Sequence, residues 1–67
     1  MKEVDARGLS CPEPIMLTGE ALDAGADTLR VLVSEPVQKT NVEKYAMSRG
    51  KKVSVNEIDD GFELVIE

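Results

Sequence analysis

Histidine and tryptophan are missing from this 67-residue sequence, cysteine occurs once, and tyrosine and phenylalanine occur once each. The lack of histidine removes the usual general base, the usual partner in a catalytic dyad and the commonest metal ligand. No built-in metal site is expected. A single cysteine cannot close an internal disulfide or form a CxxC redox pair, so Cys11 acts alone or with another molecule. No uncharged apolar run approaches the ~20 residues of a membrane helix, and Met1-Lys2-Glu3-Val4-Asp5 carries acids where a secretory signal would be apolar. The expectation is a cytoplasmic protein with no membrane association. Basic residues are in the minority, 8 against 13 acidic ones, for a formal net charge of -5. That balance repels a phosphate backbone, which argues against direct nucleic-acid binding.

What remains is 42% hydrophobic and 31% charged, the composition of a globular domain with an aliphatic core. At this length a folded chain buries only about 60% of the surface that its unfolded form exposes, so residues 1–67 are read as one domain without a large internal cavity. A monomer is the default. The end at Ile66-Glu67 suits either a stand-alone protein or an excised domain.

Periodicity and punctuation divide the sequence into six segments. Residues 2–6 form a short strand around Val4 and Ala6, stopped by Gly8. A helix follows, with Pro12 placed at its first position, Pro14 in its first turn and Gly25 as its stop. On its wheel Ile15, Thr18, Ala21 and Leu22 share a face, with Glu20 and Asp23 opposite and Met16 on the polar side. The run Leu29-Arg30-Val31-Leu32-Val33 reads as a central strand. A second helix starts after Ser34-Glu35-Pro36. Thr40 and Glu43 offer a later capping box, Val42, Tyr45, Ala46 and Arg49 line one face, and Gly50 is the stop. Val53 and Val55, the turn Asp59-Asp60-Gly61, and Phe62, Leu64 and Ile66 make a hairpin. The order βαβαββ predicts an α/β (α+β) two-layer sandwich, a four-stranded mixed sheet with two helices on one face.

The segment with chemical character is Gly8-Leu9-Ser10-Cys11-Pro12-Glu13-Pro14. Gly8 turns the chain out of the first strand and Pro12 sets the helix entrance, leaving Cys11 near the N-cap. A thiolate there meets the positive end of the helix dipole and a free amide, both of which favour ionisation. Two features restrain that activation. The prolines remove two amides, leaving chiefly those of Glu13 and Ile15, and the Glu13 carboxylate repels a negative sulfur. A moderately acidified thiol suits a relay, because the best attacking thiol has a pKa near ambient pH. A free cysteine is also commonly a small buried hydrophobe, and from the residues alone that reading stays open beside the reactive one. A glycine turn and two prolines are a poor setting for a core cysteine.

In Val4-Asp5-Ala6-Arg7-Gly8-Leu9-Ser10-Cys11-Pro12-Glu13-Pro14-Ile15-Met16 the sequence resembles the TusA/SirA-like sulfur carriers, whose signature is a Cys-Pro-x-Pro motif after a short strand and a glycine. The resemblance covers the whole chain and implies the same βαβαββ sandwich. The second half, with Asn41-Val42-Glu43-Lys44-Tyr45-Ala46 and Gly50-Lys51-Lys52-Val53, looks more like YedF-like members, often associated with selenium. By resemblance, Cys11 accepts a sulfane sulfur as a persulfide from a cysteine desulfurase or another persulfide donor and passes it to a downstream acceptor protein. The role is that of a sulfurtransferase-type carrier rather than a stand-alone multiple-turnover enzyme, with no cofactor and no metal.

Around Cys11, the motif residues Gly8, Pro12, Glu13 and Pro14 support the site, and the two prolines lower the entropic cost of presenting the loop. Arg7 is a candidate contact for the anionic sulfur or an acidic partner, or an ordinary solvated arginine at a strand end. Glu13 either meets a donor's basic patch or complements the helix dipole. Met16 offers a soft apolar contact or is merely exposed. Asp59-Asp60 is turn chemistry. Selenium trafficking or redox regulation at the same cysteine, and a non-catalytic interaction module, are the alternative functions.

Overall fold

The computed structural model describes residues 2–10 and 12–67. The elements run β1 (Lys2–Asp5), α1 (Glu13–Asp23), β2 (Leu29–Val33), α2 (Pro36–Ser48), β3 (Val53–Ile58) and β4 (Gly61–Ile66), the βαβαββ order expected. One mixed sheet has the strand order β1-β2-β4-β3, with β1 parallel to β2 and the other two pairings antiparallel. Strand β2 is therefore paired on both sides, which is why its short aliphatic sequence lacks the polar alternation of a half-exposed strand.

The inner face carries the registered rows Val4, Val31, Leu64, Val55 and Leu29, Ile66, Val53. Both helices pack over it and against each other, burying Ala21 and Leu22 of α1 and Val42 and Ala46 of α2 with the sheet residues in one core. Among the described residues the other face carries no helix and is largely polar around a buried Leu32. There Arg30 hydrogen-bonds to Glu3 and Glu63 on the two flanking strands, and Asn56 donates to Glu63 at 3.3 Å. The Arg30 contact holds the Glu63 carboxyl below the usual carboxylate range. Such exposed pairs contribute little to stability, but they keep the open face unattractive to other sheets.

Both helices end as the glycines predict. Gly25 (φ 89°) and Gly50 (φ 78°) adopt the left-handed conformation. Each closes a six-to-one bond one residue beyond it, Ala26 N–H to Ala21 O at 3.3 Å and Lys51 N–H to Ala46 O at 3.1 Å, the Schellman arrangement.

Two expected boundaries are corrected. The first helical residue of α1 is Glu13, with Pro12 as N-cap and Pro14 in the first turn. Glu13 N–H closes a tight turn on Ser10 O at 2.9 Å before the first α-type bond, Met16 N–H to Pro12 O at 3.0 Å. The capping box of α2 is not Thr40 with Glu43. It is Glu35 with Gln38, each side chain accepting from the other's backbone N–H, so the helix begins at Pro36. Thr40 and Glu43 lie inside the helix, past its first turn.

The β3–β4 hairpin turns through Asp59 and Asp60, with Ile58 registered on Gly61. A Cβ at Gly61 would stand 2.0 Å from the Val33 carbonyl oxygen, backbone that cannot move aside. Gly61→Ala is expected to destabilise the fold by ~2–3 kcal/mol through overpacking, read as a lowered urea midpoint with the slope retained.

Candidate functional site

The loop from Ala6 to Ser10 emerges from the end of β1 against the C-terminal end of β2 and the entrance of α2. Bonds from β2, from Ser34 just beyond it and from both helix entrances tether it. Ala6, itself buried, donates its N–H to Leu32 O at 2.8 Å, extending the β1–β2 pairing one residue past the strand. Gly8 takes φ 80°, a conformation that side chains rarely adopt, and donates its N–H to Ser34 Oγ at 2.8 Å. Leu9 N–H folds back onto Ala6 O at 3.3 Å, and Leu9 O accepts from Gln38 Nε2 of α2. Ser10 O accepts the Glu13 N–H. Cys11, on which the chemical reading of the sequence centres, lies outside the described residues.

Arg7 is paired with two carboxylates. Its Nε and Nη2 reach the two carboxylate oxygens of Asp5 at 2.9 and 2.8 Å, and Nη1 reaches Asp60 Oδ2 at 3.1 Å. The guanidinium thus clips the loop to the β3–β4 turn. The Arg7 side-chain hydrogen bond, reinforced by its backbone N–H, lowers the Asp5 carboxyl from 3.8 to about 2. The same pairing holds the Arg7 guanidinium even more firmly protonated than usual.

The remaining candidates divide by exposure. Pro14 is buried, and its carbonyl accepts the Thr18 hydroxyl at 2.8 Å. Pro12 and Glu13 are exposed at the helix entrance, and Met16 is 59% exposed. Of the two amides expected to face a thiolate, that of Glu13 is spent on Ser10 O. Among the described residues, no group of three or more histidines, cysteines, aspartates or glutamates is placed to hold a metal ion, and no helix is long and apolar enough to cross a membrane.

Three loop anchors were not singled out in the sequence: Ser34, Gln38 and Asp60. Asp60 belongs to the turn dipeptide but also serves Arg7. For Gln38 a signal existed, because Glu35 stands three residues before it at the helix entrance. A glutamate is an uncommon N-cap, which hid the capping box.

A family model described as "Sulfurtransferase TusA" matches residues 2–67. The curated sulfur carrier protein TusA of Pseudomonas syringae pv. syringae (strain B728a) is 31% identical over 62 residues, covering 88% of this chain and 73% of the relative. The crystal structure of a SirA-like protein from Desulfitobacterium hafniense superposes with a TM-score of 0.91 at 30% identity, over 98% of this chain and 95% of that one.

The Asp5–Arg7 contact sets a measurable titration. Because the folded-state value is depressed, the stability that the contact contributes is fully present above pH ~4, the unfolded carboxylate value, and is lost as pH falls through about 2. Carboxyl-carbon NMR is expected to find Asp5 titrating near 2, and an Arg7→Ala variant to return it toward 3.8.

Proposed function

The chain belongs to the TusA family and is a sulfur carrier, and on that premise we propose that Cys11 bears the sulfur as a persulfide. One observation carries the assignment. The sequence contains a single cysteine, so a covalent carrier built from it has one thiol on which to hold sulfur. Its place in Cys11-Pro12-Glu13-Pro14, after a tethered loop and before α1, supports the same reading.

The chemistry asks little of the rest of the protein. The Cys11 thiolate attacks the outer sulfur of a donor persulfide. A new bond forms between Cys11 Sγ and that sulfur, the donor's S–S bond breaks, and its electron pair leaves on the donor thiolate. No net oxidation occurs. Delivery repeats the step in reverse, with an acceptor thiolate attacking the outer sulfur and Cys11 leaving as a thiolate. Neither step requires histidine or a metal.

Carriers of this family relay sulfur between donor and acceptor proteins. Here the donor is read as a cysteine desulfurase and the acceptor as a cysteine-bearing protein downstream. A thiol that must cycle between free and persulfide forms works in a reducing compartment, which supports a cytoplasmic setting. Residues 1–67 act in this reading as one unit. Pro12 and Pro14 stiffen the entrance to α1, and Glu13 tempers the thiolate so that cargo can leave.

Intact mass spectrometry after incubation with a cysteine desulfurase and free cysteine tests the assignment. The expected result is an adduct of one sulfur atom, removed by reductant and absent from Cys11→Ser. An adduct that persists in Cys11→Ser, or none with any of several desulfurases, overturns it.

A further inference from the structure

We propose that Gln38 is a positioning residue for sulfur transfer, its side-chain amide pinning the Leu9 carbonyl and so fixing how the loop presents Cys11 to a partner's persulfide. The inference rests on the reading of Cys11 as the sulfur-bearing residue.

Gln38 is 6% exposed, whereas its neighbour Val37 is 61% exposed. The first turn of α2 has therefore turned a polar amide inward and left an aliphatic side chain outside, the reverse of what the hydrophobic effect favours. Such an inversion needs the amide to be used at both ends, and it is. Gln38 Oε1 accepts the Glu35 N–H at 3.4 Å, half of the capping box. A glutamate at that position would cap the helix as well. Only the amide nitrogen distinguishes glutamine, and Nε2 donates out of the helix to Leu9 O, two residues before Cys11. This donor is what the helix itself does not require.

The bond also reaches further along the loop than the tethers from β2 and Ser34, and stands beside the turn that Glu13 N–H closes on Ser10 O. Ser34 holds Gly8 and Leu32 holds Ala6, each nearer the strand end. Gln38 acts on the Leu9–Ser10 peptide, from a packed helix rather than a loop. Transfer between two proteins requires the attacking sulfur, the transferred sulfur and the leaving sulfur to meet in a set geometry, and a displacement of ~1 Å costs on the order of 100-fold. Alkylation by a small reagent has no such demand and follows the thiolate fraction and access instead.

The test uses the full chain with Gln38→Met, which keeps the volume but has no donor, and Gln38→Glu, an acceptor-only carboxylate. Glu35→Ala serves as a control that weakens the helix cap while leaving the Leu9 bond. Persulfide transfer from a desulfurase is measured over a range of carrier concentrations, alongside the rate of iodoacetamide alkylation. Both Gln38 variants are expected to lower the limiting transfer rate about tenfold, with KM for the carrier and the alkylation rate each within about threefold of the parent. Glu35→Ala should stay within about twofold throughout.

Unchanged transfer in Gln38→Met overturns the proposal. So does equal slowing in Glu35→Ala, which assigns the effect to helix fraying, or parallel loss of alkylation, which assigns it to thiol chemistry. Backbone 15N relaxation reads the tie without sulfur, and undiminished order over Gly8–Ser10 in Gln38→Met also overturns it. A parent protein that accepts no sulfur while its loop loosens in Gln38→Met shows instead that the carrier reading has failed.

Discussion

Strand β2 has neighbours on both edges and its inner side chains share one core with both helices, and the need to keep Leu29, Val31 and Val33 out of water organises the molecule. Those three side chains are fully buried, so each flanking element must arrive in register to cover them. The strand also ends where the loop begins. Its Leu32 carbonyl holds Ala6, and the residue just beyond it, Ser34, holds Gly8. A dry centre and a fixed loop are two ends of the same strand.

Electrostatics refine this arrangement without creating it. The pairs of Arg7 with Asp5 and Asp60, of Arg30 with Glu3, and of Arg49 with Asp23 face solvent, and that of Arg30 with Glu63 is partly buried. Each contributes little to stability by itself. Their effect is directional: Arg7 joins the loop after β1 to the β3–β4 turn, and Arg30 spans three strands that the backbone already pairs. Arg49 likewise spans from α2 to α1, donating to Tyr45 Oη at 2.6 Å and to Asp23 at 2.7 Å. Gly19 provides the room for that tyrosine, because a Cβ there would meet its hydroxyl at 2.6 Å.

The sequence discloses what local rules govern. The aliphatic run 29–33, the glycines after each helix and the alternation around Asp59-Asp60 all correspond to observed elements, because burial, left-handed caps and tight turns each leave a signature within a few residues. The insertion of β4 between β2 and β3 leaves none, since pairing partners are chosen across the chain. The start of α2 was obscured by chemistry rather than distance. A glutamate cap, an exposed Val37 and a buried Gln38 all run against the usual pattern. Around the candidate site, Gly8 and the prolines were legible. Their anchors Ser34, Gln38 and Asp60 lie 26, 29 and 53 residues away from the groups that they hold.

Those separations give the loop a place in the order of folding. Closing such long loops costs chain entropy that local contacts do not repay. The turn before Cys11 therefore cannot acquire its tethers until β2, the first turn of α2 and the closing hairpin have assembled. A nascent or partly unfolded chain carries the same cysteine on an unstructured segment. The shape of the segment that leads to that residue is a property of the completed fold, because its ties come from three distant parts of the chain.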